Sequence, residues 1–433
     1  MSETHDSERL SDEYESEPVP TSARRSLFSV ASVWAGFPMI ITAAVTGATL
    51  VHGLGFGGGM AAIGLGNLLL LLYVGTLSML AARTGRNFSL QASETFGRKG
   101  YVVCSGLLST LVLGWFAVQT GLVGESVAGV FDVNKTLIVL IAGVLFTAFT
   151  LLGIRALSLI GQISVPLFLI LGIIAAVRAA GDSDTDILGY AGDPSASLAL
   201  GVGVTLVFAL FADSGTMTAD FTRWAKSPRD AWIATAAAFP IGNGIAMVIG
   251  GFIAAAAGGA GDVFGILADD GGVLAFVAVI FLFINLGSVC THCLYNSAVG
   301  WSTIVGSRMR ILTVVLGVIG IIAATAGIWD FFINWLNLLG IIVPPIGAII
   351  IVDQLLARRT PTGTIPSFRW QPFVAWAVGS GLALLVDKQA PQFSTVVAGL
   401  ITAGVAIAVL NRVTSSRDTT PAVPATSAQG ATR

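Results

Sequence analysis

Charged residues are scarce in this chain. Asp, Glu, Lys and Arg make up 11% of the 433 residues, whereas hydrophobic residues make up 55%. A soluble domain usually carries about 25% charged residues. This shortage argues against an ordinary soluble protein and indicates a membrane protein. The net charge of −2 also argues against a nucleic-acid partner, because such partners attract basic surfaces.

Cysteine is rare as well. The three cysteines, Cys104, Cys290 and Cys293, all lie in apolar stretches, so the sequence has no disulfide framework. It also lacks the phosphate-binding loop that an ATP-driven pump requires. The sequence also contains no nucleophile with a neighbouring base, the arrangement that would indicate an enzyme. A secondary transporter that needs no resident cofactor is therefore the simplest interpretation.

The two ends of the chain lack long apolar runs. Residues 1–26 are acidic and Ser-rich, without the apolar segment of a cleavable signal peptide. Residues 413–433 are rich in Thr, Ala, Ser and Pro. Such compositions cannot bury enough apolar surface to fold. We predict that both segments are disordered tails.

Long apolar runs fill the rest of the chain. About 20 apolar residues are needed for a helix to cross the hydrocarbon core, and backbone groups in lipid must pair within the helix. Reading the runs between turn-forming residues predicts twelve transmembrane helices, an all-α fold. The predicted spans are 27–52, 58–81, 101–129, 136–154, 157–179, 196–221, 231–257, 272–299, 311–329, 331–353, 371–386 and 393–411.

The basic residues support an even number of spans. With the N-terminus in the cytoplasm, only Lys135, Arg178 and Lys388 of the 22 Lys and Arg residues fall outside. Cytoplasmic loops are enriched in Lys and Arg. The distribution therefore predicts that both termini are cytoplasmic and that the chain is a multi-pass protein of the plasma membrane, the inner membrane of a bacterial-type cell.

Two predicted spans contain residues that disrupt helices. Span 1 contains Gly36 and Pro38, and span 6 contains Asp213-Ser214-Gly215 at its centre. These spans correspond if residues 27–179 and 196–353 form two five-helix repeats, the second inverted, with 371–411 as accessory helices. Paired breaks in such repeats indicate a transporter's binding site. The alternative is that Gly and Pro are simply common in membrane helices.

Several collinear motifs resemble the cytosine permease branch of the nucleobase–cation symporter family. The motifs are Pro18-Val19-Pro20-Thr21-Ser22-Ala23-Arg24, Gly66-Asn67-Leu68-Leu69-Leu70, Gly114-Trp115-Phe116, Ser214-Gly215-Thr216-Met217-Thr218-Ala219-Asp220-Phe221, Leu294-Tyr295, Ser297, Gly300, Trp335-Leu336 and Pro344-Pro345-Ile346-Gly347 through Asp353. The resemblance implies a LeuT-like inverted repeat of ten helices plus two. It also implies a flat heterocycle bound near the midplane and alternating access, with sodium coupling in many members.

The resemblance assigns candidate substrate contacts. Trp115 and Phe211 match the family positions that sandwich the base, and aromatic faces stack well on a flat ring. Asn285 matches a substrate-binding amide, and Gly36 lies at the break in span 1. The alternatives are core packing for the aromatic residues and an interhelical hydrogen bond for Asn285.

Three polar positions depart from the family pattern. Asp213 replaces a small hydroxyl residue, and Val112 and Cys290 replace polar residues. Asp213 could contact an amino-heterocycle or a protonated base, carry a coupled proton, or cap the second half-helix of span 6. Because polar contacts decide which ring is accepted, we expect a ring other than cytosine, such as a purine, another aminopyrimidine, a hydantoin-like ring or a vitamin precursor.

The coupling cation remains open between sodium and proton. The resemblance places a sodium site at the carbonyls of Phe37 and Ile40 and at Asn285, Ser288 and Val289, where Val289 offers no side-chain oxygen.

His292 and Asp213 are the candidate proton carriers, and the alternative for His292 is a hydrogen bond to a nearby carbonyl. The predicted function is import of a nucleobase-like heterocycle by a monomeric permease in the lipid bilayer. The alternative is an amino-acid, amine or thiamine-type precursor carrier.

Overall fold

The computed structural model describes residues 13–183, 186–259, 262–269, 271–356 and 365–417. These ranges are mainly helical and contain no β-strand, apart from one isolated bridge between Arg25 and Ala225. The all-α prediction is therefore confirmed for this part of the chain.

Eighteen α-helices follow one another in the described ranges. They are α1 Leu27–Ala35, α2 Ile41–Thr84, α3 Phe88–Phe96, α4 Tyr101–Val130, α5 Lys135–Thr150, α6 Ile154–Gly181, α7 Leu200–Ala209, α8 Ala212–Thr216, α9 Ala219–Thr222, α10 Pro228–Ala236, α11 Gly244–Ala257, α12 Val263–Ala268, α13 Gly272–Val305, α14 Met309–Thr325, α15 Phe332–Ile342, α16 Pro344–Leu356, α17 Trp370–Gln389 and α18 Thr395–Arg417.

Seven segments of the described chain are long and apolar enough to cross a membrane. They are Ile41–Thr84, Tyr101–Val130, Ile154–Gly181, Pro228–Ala257, Gly272–Val305, Trp335–Leu355 and Thr395–Thr414. Three shorter apolar helices, α5, α7 and α14, accompany them. The chain is thus a multi-pass helical membrane protein, whereas the count of twelve and the repeat layout stay predictions.

The predicted gap between spans 1 and 2 does not occur as a loop. Helix α2 continues through residues 53–57 and bends at Gly55, whose φ of 72° and ψ of 171° are not helical. A Cβ on Gly55 would lie 2.9 Å from the Tyr190 and Ala191 carbonyl oxygens. Glycine is required here by both the positive φ and the close backbone, so one bent helix takes the place of two.

Both predicted helix breaks are present. Helix α1 ends at Ala35 and α2 begins at Ile41, so Pro38 lies in a non-helical segment. In span 6, α7 ends at Ala209 and the short helix α8 begins at Ala212. The first break contains Gly36 and Pro38 as predicted, whereas the second lies at residues 210–211, just before the helical Asp213-Ser214-Gly215 segment.

Glycines bring α2 and α11 into close contact. Gly47 faces the Met247 backbone, and Gly250 faces the Ala44 backbone, with no room for a Cβ at either position. Small residues allow membrane helices to approach in this way. Helix α2 thus forms a rigid support beside the first break.

The described part of the predicted N-terminal tail packs against helices. The Tyr295 hydroxyl (2.9 Å) and the Ile154 backbone N–H (3.2 Å) donate to the Glu13 carboxylate. The Arg223 guanidinium donates to the Tyr14 and Glu13 carbonyls. Burial raises the pKa of the Glu13 carboxyl, although the Tyr295 hydroxyl and the Arg223 charge act in the opposite direction. Residues 13–15 are therefore held among helix ends.

The predicted tails otherwise lie largely outside the described residues. Residues 1–12 and 418–433 are in this group. Helix α18 extends to Arg417, six residues beyond the predicted end of the last span at 411.

Candidate substrate site

One face of α13 is tied to the break between α1 and α2. The Asn285 amide accepts from the Ile41 backbone N–H (2.9 Å) and donates to the Met39 carbonyl (2.9 Å). The Ser288 hydroxyl donates to the Gly36 carbonyl (2.6 Å). Residues spaced by three or four lie on one helix face. These side chains therefore satisfy backbone groups that the unwound segment would otherwise leave unpaired.

A small cavity of about 10 Å³ lies beside the two breaks. Every residue that lines it is at most 3% exposed, so the site is closed on all sides. The lining residues are Phe37, Ile40, Trp115, Gln119, Leu210, Phe211, Ser214, Val289 and Cys293. Both unwound segments, together with α4 and α13, contribute to this wall.

Trp115 and Phe211, the predicted aromatic pair, both line the cavity. Phe211 packs edge-on against Phe37, with ring centroids 5.4 Å apart, and against Phe239 at 5.6 Å. Its ring position is therefore fixed from behind by other aromatic residues. The structure brings together the two rings that the resemblance assigns to stacking.

Gln119 is a polar wall residue that the sequence reasoning missed. Its Nε2 donates to the Thr42 hydroxyl (3.0 Å), and its buried Oε1 has no hydrogen-bond partner in the described structure. Gln119 lies four residues after Trp115, so the two share a helix face. This four-residue spacing is the feature of the sequence that could have identified Gln119 as a wall residue.

Asp213 lies directly behind the cavity wall. Its side chain is 0% exposed, and the Ser214 backbone N–H donates to its Oδ1 (2.7 Å). The indole of Trp115 also interacts with the carboxyl group, whereas Oδ2 makes no hydrogen bond of normal geometry within the described ranges. No Lys or Arg there forms an ion pair with it.

Asp213 is not the N-cap of the second half-helix of span 6, which was one of the roles considered for it. Phe211 occupies the N-cap of α8, and Asp213 is the second residue of that helix. A carboxylate in the first turn is still favoured by the positive end of the helix dipole. Asp213 therefore complements the helix end without being its cap.

Gly36 and Asn285 do not line the closed cavity. The Asn285 Nδ2 already donates to Met39 and to the Ser164 hydroxyl (3.2 Å). Gly36 packs against Gly161, where a Cβ would collide with the backbone. In this structure they hold the break, as the interhelical alternative for Asn285 expects. A substrate contact by either residue stays a prediction that requires the segment to move.

Several of the predicted sodium ligands take part in hydrogen bonds. The Ile40 carbonyl accepts from the Ala43 (3.0 Å) and Ala44 (3.2 Å) backbone N–H groups, and the Ser288 hydroxyl donates to the Gly36 carbonyl. These oxygens keep lone pairs for a cation, whereas Val289 supplies no side-chain oxygen. A sodium site at these positions therefore stays a prediction.

His292 is held by two backbone carbonyls. Its Nδ1 lies 2.7 Å from the Ser288 oxygen and its Nε2 lies 2.7 Å from the Val33 oxygen. The ring packs against Phe37 and Phe221, with centroids 5.1 and 5.4 Å away. A neutral ring donates to one of these carbonyls and a protonated ring to both. The contacts favour the interhelical role, and a part in proton transfer stays a prediction.

A match over most of the chain decides the family. A family described as permeases for cytosine/purines, uracil, thiamine and allantoin matches residues 18–386. The chain belongs to this permease family. It is accordingly a transporter of nucleobase type and not an enzyme, as the motif resemblance predicted.

Curated relatives of the permease support the same assignment. The cytosine permease of Escherichia coli strain K12 is 31% identical over 406 residues, which is 92% of this chain and 95% of the relative. The cytosine permease of strain CFT073 gives the same values. The match therefore spans nearly the full length of both proteins.

Solved structures establish the fold of the permease. Mhp1, a nucleobase-cation-symport-1 family transporter, in a closed conformation with bromovinylhydantoin bound, has a TM-score of 0.78 at 20% identity and covers 94% of this chain and 96% of its own. Its inward-facing form has a TM-score of 0.73, at 92% and 93% coverage. A Na⁺-coupled sialic acid symporter has a TM-score of 0.66 at 12% identity, with 90% of each chain covered.

Proposed function

We propose that this permease imports a flat nucleobase-like heterocycle by alternating access. The supporting observation is the lining of the closed cavity, which brings together Trp115, Phe211 and the buried, unpaired oxygen of Gln119. At about 10 Å³ the cavity must widen to admit a ring. Aromatic rings that can stack on a planar substrate and polar atoms that can read its edge are the parts that such a site requires.

The proposed architecture is the inverted repeat of ten helices followed by two more. In that arrangement the breaks at residues 36–40 and 210–211 belong to corresponding helices. Closure around the ring and reopening on the other side are then movements about these two segments. Both termini would lie in the cytoplasm and the chain would act as a monomer in the plasma membrane.

The proposed coupling cation is a proton and not sodium. Val289 supplies no side-chain oxygen, which removes one ligand from the sodium site that the family resemblance implies. A carboxylate buried without a cation is costly, so the closed site holds Asp213 most favourably when a proton or a cationic substrate neutralises it. This makes Asp213 the proposed proton carrier.

Ligand-induced stabilisation of the purified permease tests the substrate class. A ligand that binds the native state raises its melting temperature. The panel contains purines, pyrimidines, hydantoins and thiamine-type pyrimidines, and we expect at least one flat ring to raise the Tm. If no ring does so while an amino acid or amine does, the second candidate is favoured, in which Asp213 pairs with an ammonium group.

A further inference from the structure

Four buried polar side chains outside the cavity wall contain atoms without a hydrogen-bond partner in the described chain. These atoms are the Oδ1 and Nδ2 of Asn296, the hydroxyls of Ser297 and Ser109, and the Oδ2 of Asp220. All four residues are at most 1% exposed. Leaving such atoms unpaired is costly, and most buried polar atoms in proteins are paired. We call these four side chains the polar layer.

The polar layer begins one helical turn from the cavity. Val289 and Cys293 of α13 line the cavity. Asn296 follows Cys293 by three residues and Val289 by seven, so the three residues share one helix face. Tyr295, next to Asn296, donates to the Glu13 carboxylate (2.9 Å). Asn296 therefore lies on the side of the cavity where the N-terminal segment packs, which the proposed topology assigns to the cytoplasm.

Helix α4 brings Ser109 to the same turn of α13. The Ser109 Oγ occupies the place that a Cβ on Gly300 would take, and the Met217 Cε lies 3.5 Å from that place. Side chains of a helix lean toward its N-terminus, so this place lies over the turn that carries Asn296 and Ser297. The two serine hydroxyls and the amide therefore belong to one layer.

Asp220 adds a carboxylate on the side of α9. It follows Met217 by three residues, and its Oδ1 accepts from the Phe88 backbone N–H at the start of α3 (2.9 Å). The ring of the next residue, Phe221, stacks on Tyr295 with centroids 6.0 Å apart. Helix α9 therefore lies beside the turn of α13 that carries the amide, and the second carboxylate oxygen has no partner in the described chain.

We propose, on the basis of the proposed function, that the polar layer is a second site for the transported ring, occupied when the ring leaves the cavity toward the cytoplasm. The unpaired amide of Asn296 matches a ring edge that carries a donor next to an acceptor, such as a lactam or an amidine. The two hydroxyls can donate or accept, and the Asp220 oxygen accepts. Because the layer is buried, the ring reaches it only when the cytoplasmic side opens.

The polar layer gives the ring hydrogen bonds between the cavity and water. A ring that left along an apolar wall would give up its hydrogen bonds before water replaced them, which raises the barrier to release. In the closed structure the same groups are unpaired, which lowers the stability of the fold. A transport role and a structural role of Asn296 therefore have opposite consequences for stability.

Asn296→Leu separates the two roles, because leucine has the same number of heavy atoms and no polar group. We expect the Tm of the ligand-free permease to stay equal or to rise, since unpaired polar atoms are removed. The maximal rate of ring uptake into proteoliposomes should fall by about tenfold or more. Equilibrium affinity for the same ring, measured by calorimetry, should stay within about twofold, because the cavity wall is unchanged.

Two further variants and a control complete the test. Asn296→Ser keeps a donor and an acceptor on a shorter side chain, so it should recover part of the uptake that Asn296→Leu loses. Ser109→Ala removes one hydroxyl on the facing helix and should slow uptake by about two- to tenfold without lowering the Tm. Gln162→Leu, at an exposed glutamine of α6, should change neither uptake nor affinity.

Failure of the second site can be told apart from failure of the proposed function. If the unmodified permease binds and transports no ring, the proposed function fails and the inference fails with it. If it transports a ring and both Asn296→Leu and Ser109→Ala transport it equally well, only the second site is wrong. A fall in Tm in both variants also overturns the inference, because the layer then serves only to stabilise the fold.

Discussion

At the scale of single residues, Trp115 has two roles in the site. Its ring lines the cavity, and its indole interacts with the Asp213 carboxyl. Phe211, in contrast, is only an apolar ring, held by Phe37 and Phe239. Loss of either ring should weaken stacking, but loss of Trp115 should also disturb the acid behind the wall.

Replacing Trp115 with Ala should weaken binding of the best ligand by about 5- to 150-fold, because one aromatic stacking contact contributes about 1–3 kcal/mol. Phe211→Ala should have an effect in the same range. Affinity measured by calorimetry or Tm shift checks both. Trp370→Ala, at a half-exposed tryptophan of α17, serves as the control. Unchanged affinity in both cavity variants would contradict stacking.

The sequence predicted the aromatic pair but not the positions of the amides. Trp115 and Phe211 both line the cavity, and their stacking on a substrate stays a prediction. Whether a buried amide faces a ligand or a backbone depends on helix rotation and on where unwound segments lie. Sequence spacing could therefore place Gln119 on the same face as Trp115, but it could not show that Asn285 binds the break.

At the scale of helices and segments, the bend at Gly55 and the packed residues 13–15 were not predicted. The breaks near Pro38 and Asp213 were, because proline and a charged residue act locally on a helix. Gly55 resembles its neighbours Gly57 and Gly58 in sequence. Only the approach of the segment containing Tyr190, whose carbonyl accepts from the Phe56 backbone N–H (2.8 Å), makes it distinct.

Gly55→Ala should destabilise the permease by about 1–3 kcal/mol, because its φ of 72° with ψ of 171° is a backbone conformation that essentially only glycine adopts. The added Cβ would also press on the carbonyls of residues 190 and 191. Gly57→Ala is the matched control, since a Cβ there meets nothing within 4 Å and alanine favours a helix. Thermal unfolding of the two variants decides, and equal Tm values would contradict the bend.

Glu13→Ala should lower the stability of the folded permease by about 1–3 kcal/mol, because the Tyr295 hydroxyl and the Ile154 N–H lose their acceptor. The expected readout is a lower Tm, with exposed Glu17→Ala as the control. A Tm equal to that of the unmodified protein would show that residues 13–15 are not held as described.

The raised pKa of Glu13 also predicts how the stability of the folded permease changes with pH. A raised pKa means that the folded state favours protonated Glu13. Its contribution is complete below the ordinary value of 4.5 and is lost as the pH rises through the raised pKa. Glu13→Gln imitates the protonated form, so its Tm advantage over the unmodified protein should grow as the pH rises across this window.

At the scale of the whole molecule, the structure represents a closed state. The lining residues are at most 3% exposed, and the three side chains Asn285, Ser288 and His292 of α13 hold the α1–α2 segment through hydrogen bonds. The membrane class and helical fold could be predicted from composition and apolar runs. The closure could not, because it depends on contacts between distant segments.

Exchange of sodium for potassium should leave ligand affinity unchanged within about twofold, because Val289 removes one oxygen ligand from the sodium site that the family resemblance implies. Calorimetry of the best ligand in each salt at equal ionic strength provides the comparison. The same titration at two pH values is the positive control for proton linkage. Affinity that rises with sodium concentration would contradict the proposed coupling.

Uptake into proteoliposomes tests the central claim most directly. The purified permease is reconstituted, and the radiolabelled ring that gives the largest Tm shift is added outside with an inward proton gradient. We predict accumulation above the external concentration, abolished by a protonophore and unaffected by removal of sodium. Uptake no greater than that of protein-free liposomes under proton and sodium gradients alike would contradict the assignment of this chain as a heterocycle importer.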